Sequence, residues 1–198
     1  MAGLRERKQA ETRQRISDHA TRLFERQGFE NVTLAQVAAA AGVSVKTVTN
    51  YFGAKDELFF DTEPAVLDHL VTTVRGLTPA AATAALRPLV LDGPLLAGPC
   101  RWDTVDAATW EAMRVWARCE RDSPALTVRR AALTQGWSHP LAEAVGSRAW
   151  GALAAGTLAL RQDVAQSGLV ADHPPERVGA DVRAAAGAAL DALERGFA

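Results

Sequence analysis

The sequence predicts an all-α fold, and three observations favour it. Strand signals are nearly absent, because the valines are dispersed and alanine dominates the composition. Apolar residues instead recur at intervals of three and four along most of the 198 residues. Glycine, proline and capping residues divide this pattern into segments of helical length. Apolar residues make up 48% of the chain, which is enough to bury a sizeable core.

Two helices are predicted near the N-terminus. The first spans about 8–27, and its apolar face repeats at i, i+4, i+7 and i+8 as Ile16, Ala20, Leu23 and Phe24. The second opens at Thr33, where "TLAQ" has the form of a capping box. Gly42 ends the second helix, since glycine is favoured just past a helix C-terminus.

A third helix begins after only three residues, with Ser44 as its N-cap. Two short helices joined by three residues, glycine first, predict a helix-turn-helix. We expect a fourth helix from about Lys55 to Arg75 and place the domain boundary within it. Residues 1–60 would then form a three-helix domain, and residues 61–198 a larger helical domain.

Five further helical segments are predicted in the larger domain, joined by loops rich in proline and glycine. "DGPLLAGPC" is predicted to be a loop, and the helix that opens at Ser123 is expected to kink at Pro140. The other predicted helices span about 79–91, 103–121, 147–167 and 175–196, and the helix that opens at Ser123 lies between the second and the third of these.

The net charge of −1 is unevenly distributed. Residues 1–55 hold nine Lys and Arg against five Glu and Asp, a net charge of +4, which leaves −5 on the remainder. Residues 31–55 contain no acidic side chain. A basic N-terminal module on an acidic body is the asymmetry expected when only one end of a protein meets phosphate.

The third helix carries polar residues on the face opposite the core. At 100° per residue the inward positions are Val48, Tyr51 and Phe52. The outward positions are Lys46, Thr47, Thr49 and Asn50. Threonine and asparagine are mediocre in helix interiors, and an ordinary solvated face would favour Glu, Lys, Gln and Ala. Their side chains can instead hydrogen-bond base edges or phosphates, so the face predicts DNA contact.

Residues 12–60 resemble the DNA-binding domain of the TetR family of bacterial transcriptional repressors. The matching positions are Ala20, Leu23, Phe24, Gly28, Phe29, Thr33, Val37, Ala38, Ala41, Gly42, Val43, Ser44, Thr47, Tyr51, Phe52, Lys55 and Leu58. The resemblance implies phosphate contacts by Thr33, Tyr51 and Lys55. It implies approach to bases in the major groove by Val45, Lys46, Thr47 and Asn50. Ser44 and Thr49 complete the predicted DNA-binding set, although the family more often has an aromatic residue at Thr49.

The resemblance also implies a C-terminal domain that binds a small molecule and dimerises through its last two helices. The candidate ligand-binding residues are the aromatic and basic side chains of the middle region: Trp102, Trp110, Met113, Arg114, Trp116, Arg118 and Trp137. The candidate dimer-interface residues lie on apolar stripes of the last two helices: Trp150, Leu153, Thr157, Leu160, Val182, Ala186, Ala189 and Leu193. Each ligand candidate has an ordinary core or surface position as its alternative, and burial within a monomer is the alternative for the stripes.

These patterns favour a ligand-responsive dimeric regulator, most simply a repressor that binds a palindromic operator and is released by a small apolar or amphipathic effector. "VSVKTVTNYFGAKDELFF" and the "SPAL" helix start are similar to actinobacterial regulators thought to sense acyl-CoA-like ligands. A DNA-binding protein without an effector is the alternative. An enzyme is not expected, because the histidines are scattered and no catalytic or phosphate-loop motif appears. No cofactor, disulfide or zinc site is expected from Cys100 and Cys119. No signal peptide or membrane span is recognisable, so we expect a cytoplasmic protein.

Overall fold

The computed structural model describes residues 3–96 and 100–197, and every regular element in these residues is an α-helix. Residues 97–99, which belong to the predicted loop 92–100, lie outside the described part. The eleven helices of the described residues are α1 (Leu4–Gln27), α2 (Leu34–Ala41), α3 (Val45–Tyr51), α4 (Lys55–Phe59), α5 (Glu63–Val74), α6 (Pro79–Leu91), α7 (Ala107–Arg121), α8 (Pro124–Gly136), α9 (Ser138–Val145), α10 (Arg148–Val170) and α11 (Pro175–Gly196). The predicted all-α fold is confirmed.

The chain forms two compact units. The first unit is Met1–Thr62 with Cys119–Leu126, and the second is Glu63–Arg118 with Thr127–Ala198. The sequence analysis predicted a single boundary after residue 60 and did not group 119–126 with the N-terminal part. In the structure Ser123 Oγ donates a hydrogen bond to Glu30, and Cys119 Sγ lies 3.8 Å from the carbonyl oxygen of Phe24, both within the first unit.

One face of α1 forms the core of the first unit. Ile16, Ala20 and Phe24 are completely buried, as their spacing predicted. The ring of Phe24 lies 5.3 Å from that of Phe29 and 5.9 Å from that of Phe59, centroid to centroid. Each such buried side chain contributes about 1.5–3 kcal/mol of transfer free energy. The aromatic cluster therefore ties α1 to the loop before α2 and to α4.

The turn between α2 and α3 is fixed by its backbone. Gly42 has a φ of 66°, a left-handed conformation that glycine adopts without steric cost. The N–H of Gly42 donates to the carbonyl of Ala39 at 3.2 Å, and the N–H of Val43 donates to that of Ala38 at 2.9 Å. These bonds satisfy carbonyls at the end of α2. The chain can therefore reverse and start α3 within three residues.

Both helices of this motif have the side-chain caps that the sequence predicted. The Thr33 hydroxyl accepts from the N–H of Gln36 at 3.2 Å, and the Gln36 side chain accepts from the N–H of Thr33 at 2.7 Å. Ser44 Oγ accepts from the N–H of Thr47 at 3.0 Å. Such caps are worth about 1 kcal/mol each. The predicted helix-turn-helix is confirmed, with α2 and α3 as its two helices.

The prediction of one long fourth helix is wrong. Two helices, α4 and α5, stand in its place and are separated by 60–62. Pro64 is the second residue of α5, and proline has no N–H to donate to the carbonyl of residue 60. Its ring would also clash with that carbonyl if the helix continued. Asp61 in the break accepts a hydrogen bond from Ser17 Oγ of α1.

Two later boundaries also differ from the prediction. The helix α7 begins at Ala107 rather than near 103, because Asp106 caps it by accepting from the N–H of Thr109 at 2.9 Å. The kinked helix expected after Ser123 is two helices, α8 and α9. Pro140 occupies the third position of α9, in the first turn, where a missing N–H leaves no intrahelical bond unmade.

The long helices α10 and α11 pack closely in the second unit. A Cβ on Gly168 of α10 would come within 2.7 Å of the Val178 side chain of α11, so only glycine permits this approach. The buried Trp150 of α10 donates from Nε1 to Thr83 Oγ1 of α6 at 2.9 Å. The core of the second unit therefore lies between α10, α11 and α6.

Arg161 of α10 is a buried cation in this core. Its guanidinium donates to the carbonyl oxygens of Gly93 at 2.7 Å and Pro94 at 2.6 Å, and lies 3.4 Å from that of Val90. These carbonyls stand at or just beyond the C-terminus of α6, the negative end of its dipole. Burial lowers the pKa of Arg161 to about 10. The arginine therefore joins the end of α6 to the middle of α10.

Asp172, in the turn between α10 and α11, connects that turn to α7. It adopts a φ of 60°. Its Oδ1 accepts from Arg114 Nε at 3.1 Å and also from the terminal nitrogens of Arg114 and Arg118. Arg114 also donates to Glu111 at 2.9 Å. Hydrogen bonds from the two arginines hold the pKa of Asp172 below its usual value.

We expect Asp172→Asn to lower the melting temperature at neutral pH, and the difference from the wild type to vanish in acid. A carboxyl with a depressed pKa in the folded state stabilises the fold above its unfolded pKa of about 4, and that contribution is lost as the pH falls through the folded pKa. Asparagine tolerates positive φ, so the backbone is preserved. Melting curves from pH 7 to pH 2 test this prediction. Asp163→Asn, an exposed change on α10, should show no such pH dependence; equal behaviour of both variants would contradict the prediction.

Candidate functional site

The outer face of α3 is exposed as its helical positions predicted. Val48 and Phe52 are buried, while Lys46 and Asn50 are exposed. Within the part of the chain that the structure describes, neither Lys46 nor Asn50 has a side-chain hydrogen bond or ion pair. An ammonium and an amide one helical turn apart are thus free to bind a ligand. Tyr51 is half-buried rather than fully turned to the core.

The hydroxyls of this region make local hydrogen bonds. Ser44 Oγ and Thr47 Oγ1 are 2.8 Å apart, and Thr49 Oγ1 donates to the carbonyl of Lys46 at 3.1 Å. Thr33 Oγ1 lies 2.9 Å from Gln36 Oε1. A hydroxyl that already donates locally can still accept a hydrogen bond. These hydroxyls are therefore engaged in local hydrogen bonds. Among the described residues, the side chains of Lys46 and Asn50 are the unpaired donors on the outer face of α3.

Val45 is an exposed apolar residue at the start of α3, with 43% of its surface accessible. It stands between the Ser44 cap and Lys46 in the chain. An aliphatic side chain beside polar ones suits the edge of a base pair, where the thymine methyl is the apolar feature.

Lys55 begins α4 as predicted, but its side chain makes contacts that the sequence analysis did not foresee. Its ammonium donates to the carbonyls of Phe29 at 2.8 Å and Val32 at 3.0 Å, and it lies 4.1 Å from the centroid of the Phe29 ring. Two of its three donors are thus used within the first unit. The expected role of Lys55 as a phosphate contact does not fit this arrangement. The side chain instead holds the loop between α1 and α2 against α4.

Arg13 of α1, which the sequence analysis did not single out, anchors the C-terminal end of α3. Its Nη1 donates to the carbonyl of Tyr51 at 3.0 Å, and its guanidinium carbon lies 4.1 Å from the centroid of the Phe52 ring. Cation–π contacts of this kind are worth about 0.5–1 kcal/mol or more. The signal in the sequence was weak, because arginine on a helix of mixed charge is usually a solvated residue.

An open groove of about 500 Å³ lies beside this anchor. Its lining comes from α1 and α3: Arg5, Lys8, Gln9, Thr12 and Tyr51. Only Tyr51 among these residues was predicted as a site residue. The other four could have been grouped from the sequence, because they are spaced by three, four and seven positions and such residues lie on one face of a helix.

The predicted effector residues are mainly packed in the core of the second unit. Trp102, Trp110 and Trp137 are buried, and Trp116 and Met113 are half-buried. The ring of Trp102 meets that of Trp110 edge to face with centroids 6.4 Å apart.

Trp102 in particular is a packing residue rather than the wall of an open cavity. Its indole N–H donates to the carbonyl of Leu91 at 2.8 Å. A Cβ placed on Gly179 of α11 would come within 2.6 Å of the Trp102 ring. The prediction that Trp102 lines an effector site therefore does not fit its close packing on α11.

The two arginines among the predicted ligand-binding residues already have anionic partners. Arg114 and Arg118 both bind Asp172, and Arg114 also binds Glu111. An anionic ligand at this position would compete with Asp172 for the same donors. The two arginines thus join α7 to the turn between α10 and α11.

Most of the predicted dimer-interface residues point into their own subunit. Five of them are buried in the core of the second unit: Trp150, Thr157, Val182, Ala186 and Leu193. Ala189 is half-buried. Helical spacing predicts that such residues share a face but does not say which helix covers it. The partner-facing assignment of these five is therefore wrong.

Leu153 and Leu160 of α10 are the predicted interface residues that remain exposed. They leave 56% and 38% of their surface accessible. Ala149 and Gly156 are exposed on the same helix, and a Cβ on Gly156 would meet no atom within 4 Å. Positions 149, 153, 156 and 160 fall at i, i+4, i+7 and i+11, so they form one apolar stripe along the outside of α10.

Other classes of site are not indicated by the described residues. Among residues 3–96 and 100–197, no three His, Cys, Asp or Glu side chains are placed to hold a metal ion. Burial raises the pKa of the Cys119 thiol. None of the described helices combines the length and the apolar character needed to cross a membrane.

A capped three-helix unit with an exposed polar face on the second helix of its helix-turn-helix defines the class of DNA-binding transcriptional regulators. Residues 16–62 match the sequence profile of bacterial regulatory proteins of the TetR family. The match covers the helix-turn-helix of the first unit and makes that part of the chain similar to the TetR family of transcriptional regulators. Members of this family regulate transcription and are not enzymes.

A curated protein and a solved structure are also similar to this chain. The HTH-type transcriptional regulator HbdR of Aromatoleum sp. (strain CIB) is 39% identical in an alignment of 72 residues that covers 34% of this chain and 31% of HbdR. The match thus spans about a third of the relative. NalD of Pseudomonas aeruginosa, the secondary repressor of the MexAB-OprM multidrug efflux pump, is 18% identical with a TM-score of 0.55, over 95% of this chain and 97% of its own. This likeness shows the fold.

A transcriptional regulator from Rhodococcus sp. Rha1 is similar over a comparable length. It is 24% identical, over 92% of this chain and 97% of its own, with a TM-score of 0.45.

We expect Lys55→Met to destabilise the first unit without changing the salt dependence of DNA binding. Methionine keeps the length of the side chain over Phe29 but removes the ammonium from two loop carbonyls, which costs about 1–2 kcal/mol. Thermal unfolding and a salt titration of DNA affinity are the measurements. A stable variant whose log–log salt slope falls by about one unit would instead make Lys55 a phosphate contact.

Proposed function

We propose that the chain is a ligand-responsive dimeric repressor that places α3 in the major groove of a palindromic operator. The observation that carries the proposal is the exposed pair Lys46 and Asn50 on the outer face of α3. Lysine binds guanine O6 and N7, and asparagine makes paired hydrogen bonds to adenine. The two side chains provide different base preferences one helical turn apart.

The residues around this pair support contact with the DNA backbone. Thr33 and Ser44 are the N-caps of α2 and α3, and the N-terminus of a helix suits a phosphate. Thr47, Thr49 and Tyr51 border the face, and Val45 supplies its apolar edge. In this proposal Lys55 positions the loop before α2 instead of binding phosphate.

A dimer is proposed because one helix-turn-helix reads only a few base pairs. Two copies on one side of the duplex need half-sites about 34–36 Å apart, or a multiple of this distance. The exposed apolar stripe of α10, with Leu153 and Leu160 at its centre, supports a two-fold contact with a second copy. An exposed Gly156 between them would allow the two helix backbones to approach closely.

The effector is proposed to be a small apolar or amphipathic molecule bound in the second unit. The aromatic side chains Trp110, Trp116 and Trp137 support an apolar site, and an acyl-CoA-like molecule belongs to this class. Ligand and DNA would then weaken each other's binding by the same factor, because coupling is reciprocal.

A DNA-binding protein without an effector is the second candidate. The core packing of Trp102 and the pairing of Arg114 and Arg118 with Asp172 favour it, since these residues have structural roles of their own. A ligand screen by thermal shift, repeated with operator DNA present, separates the two candidates. An effector must stabilise the free protein more than the DNA-bound protein.

We expect Lys46→Ala and Asn50→Ala to relax the base preference of the protein. Each good base contact is worth about 1–3 kcal/mol of discrimination. Selection from randomised duplexes, followed by affinity measurements on the best site, tests both variants. Arg75→Ala removes one exposed positive charge from the second unit and is the matched control for Lys46→Ala. Unchanged preference in both α3 variants would show that the face is only solvated.

We expect Leu153→Arg and Leu160→Arg to convert the dimer to a folded monomer. Both side chains are exposed in one subunit, so a charge there is tolerated by the monomer but would be buried and unpaired in the dimer. Sedimentation velocity gives the oligomeric state, and circular dichroism gives the fold. Val128→Arg, at an apolar residue of α8 that is 71% exposed, should remain dimeric. A dimer that survives both α10 changes would contradict this interface.

A further inference from the structure

The groove between α1 and α3 carries positive charge that the folded chain does not use. Arg5 and Lys8 line it, and both are exposed. No carboxylate among the described residues lies within ion-pair distance of either side chain. The nearby Glu6 is turned back and accepts a hydrogen bond from the N–H of Gly3 at 2.9 Å. Two cations thus face open space on one side of α1.

The other lining residues are neutral hydrogen-bonding groups. Gln9, Thr12 and Tyr51 supply an amide, a hydroxyl and a phenol. With Lys8 placed at 0° on the helix, Thr12 falls near 40°, Arg5 near 60° and Gln9 near 100°, at about 100° per residue. This sector contains no acidic residue. Its chemistry suits a phosphodiester, which accepts hydrogen bonds and carries one negative charge.

The groove has a fixed position relative to α3. Arg13 of α1 donates to the carbonyl of Tyr51, and its guanidinium stacks on the ring of Phe52. Tyr51 belongs to the groove, and it follows Asn50 of the outer face directly in the chain. A duplex bound on α3 would therefore bring its backbone towards the N-terminal part of α1.

We propose that Arg5 and Lys8, with Gln9 and Thr12, form a second DNA-contact surface that binds the phosphodiester backbone bordering the major groove occupied by α3. The inference rests on the proposed DNA reading by α3. The surface adds affinity and sets the orientation of α3, because phosphate contacts carry no base information. It extends the footprint of the protein beyond the helix-turn-helix to the first helix of the chain.

The test compares two double variants that remove the same charge from the same helix. Arg5→Ala/Lys8→Ala removes the cations of the groove. Arg7→Ala/Arg22→Ala removes two exposed arginines of α1 that do not line it. DNA affinity is measured for each between 50 and 300 mM salt on the selected operator and on a scrambled duplex. Circular dichroism confirms that both variants keep their helices.

We expect the groove variant to reduce the log–log salt slope by about two units, at about 0.9 per phosphate contact. Affinity at 0.1 M salt should then fall on the order of 10- to 100-fold, equally on both duplexes. The variant Arg5→Lys/Lys8→Arg should keep the salt slope of the wild type, since both residues keep a positive charge. The control variant should lose far less affinity, because its charges lie away from the backbone.

Equal losses in the groove and control variants would overturn the inference, because net charge alone would then explain the effect. A changed base preference with an unchanged slope would also overturn it. Failure of the proposed function has a different signature: the wild type would not distinguish the operator from the scrambled duplex, or Lys46→Ala and Asn50→Ala would leave its preference intact.

Discussion

The proposed DNA-contact face of this molecule depends on holding a seven-residue helix that would not form alone. Isolated helices of this length are unstable in water, and α3 contains two threonines and an asparagine, which lower its intrinsic helicity further. Its stability comes from tertiary packing, because its own Val48 and the adjoining Phe52 are buried in the core of the first unit. Serine caps its first turn, and Arg13 binds its last carbonyl. The helix can carry a polar outer face of low helix propensity only because its inner face is packed and both of its ends are held by hydrogen bonds.

The second unit likewise combines a core held by specific hydrogen bonds with an exposed helix surface. Arg161 is buried, no carboxylate of the described residues pairs with it, and carbonyls at the end of α6 hold it. Removing water from a guanidinium is unfavourable, so the bonds to these carbonyls must be kept for the core to form. This arrangement makes the contact between α6 and α10 specific in position. The outer side of α10 is then left with small and aliphatic residues, a surface that a second subunit can cover.

The sequence predicted the N-terminal motif well because its signals are local. Thr33, Gly42 and Ser44 act on neighbours within a few residues, and the period of Ile16, Ala20 and Phe24 is set by one helix. Pro64 could have predicted the break between α4 and α5 by the same kind of local reasoning. Errors arose where the answer depended on residues far along the chain.

Lys55 and the last two helices show this limit. An ammonium at a helix start suits a phosphate, but it equally suits carbonyls of a loop 26 and 23 residues earlier, and periodicity does not report where that loop lies. Val182, Ala186 and Leu193 repeat as an interface would, yet the same repeat arises when the covering helix belongs to the same chain. Only the packing distinguishes Leu153 and Leu160, which are exposed, from these residues.

The distribution of lysines has a practical consequence for measuring this protein. The chain has three lysines, Lys8, Lys46 and Lys55. The first two are exposed beside or within the proposed DNA surfaces, and the third is engaged in the loop contact. Amine-directed coupling to a biosensor chip or an amine-reactive dye would therefore modify Lys8 and Lys46 first, along with the α-amino group. Immobilisation by this chemistry would turn the outer face of α3 towards the matrix, and the protein would then show no DNA binding in the assay. Capture through a C-terminal affinity tag would leave both lysines unmodified.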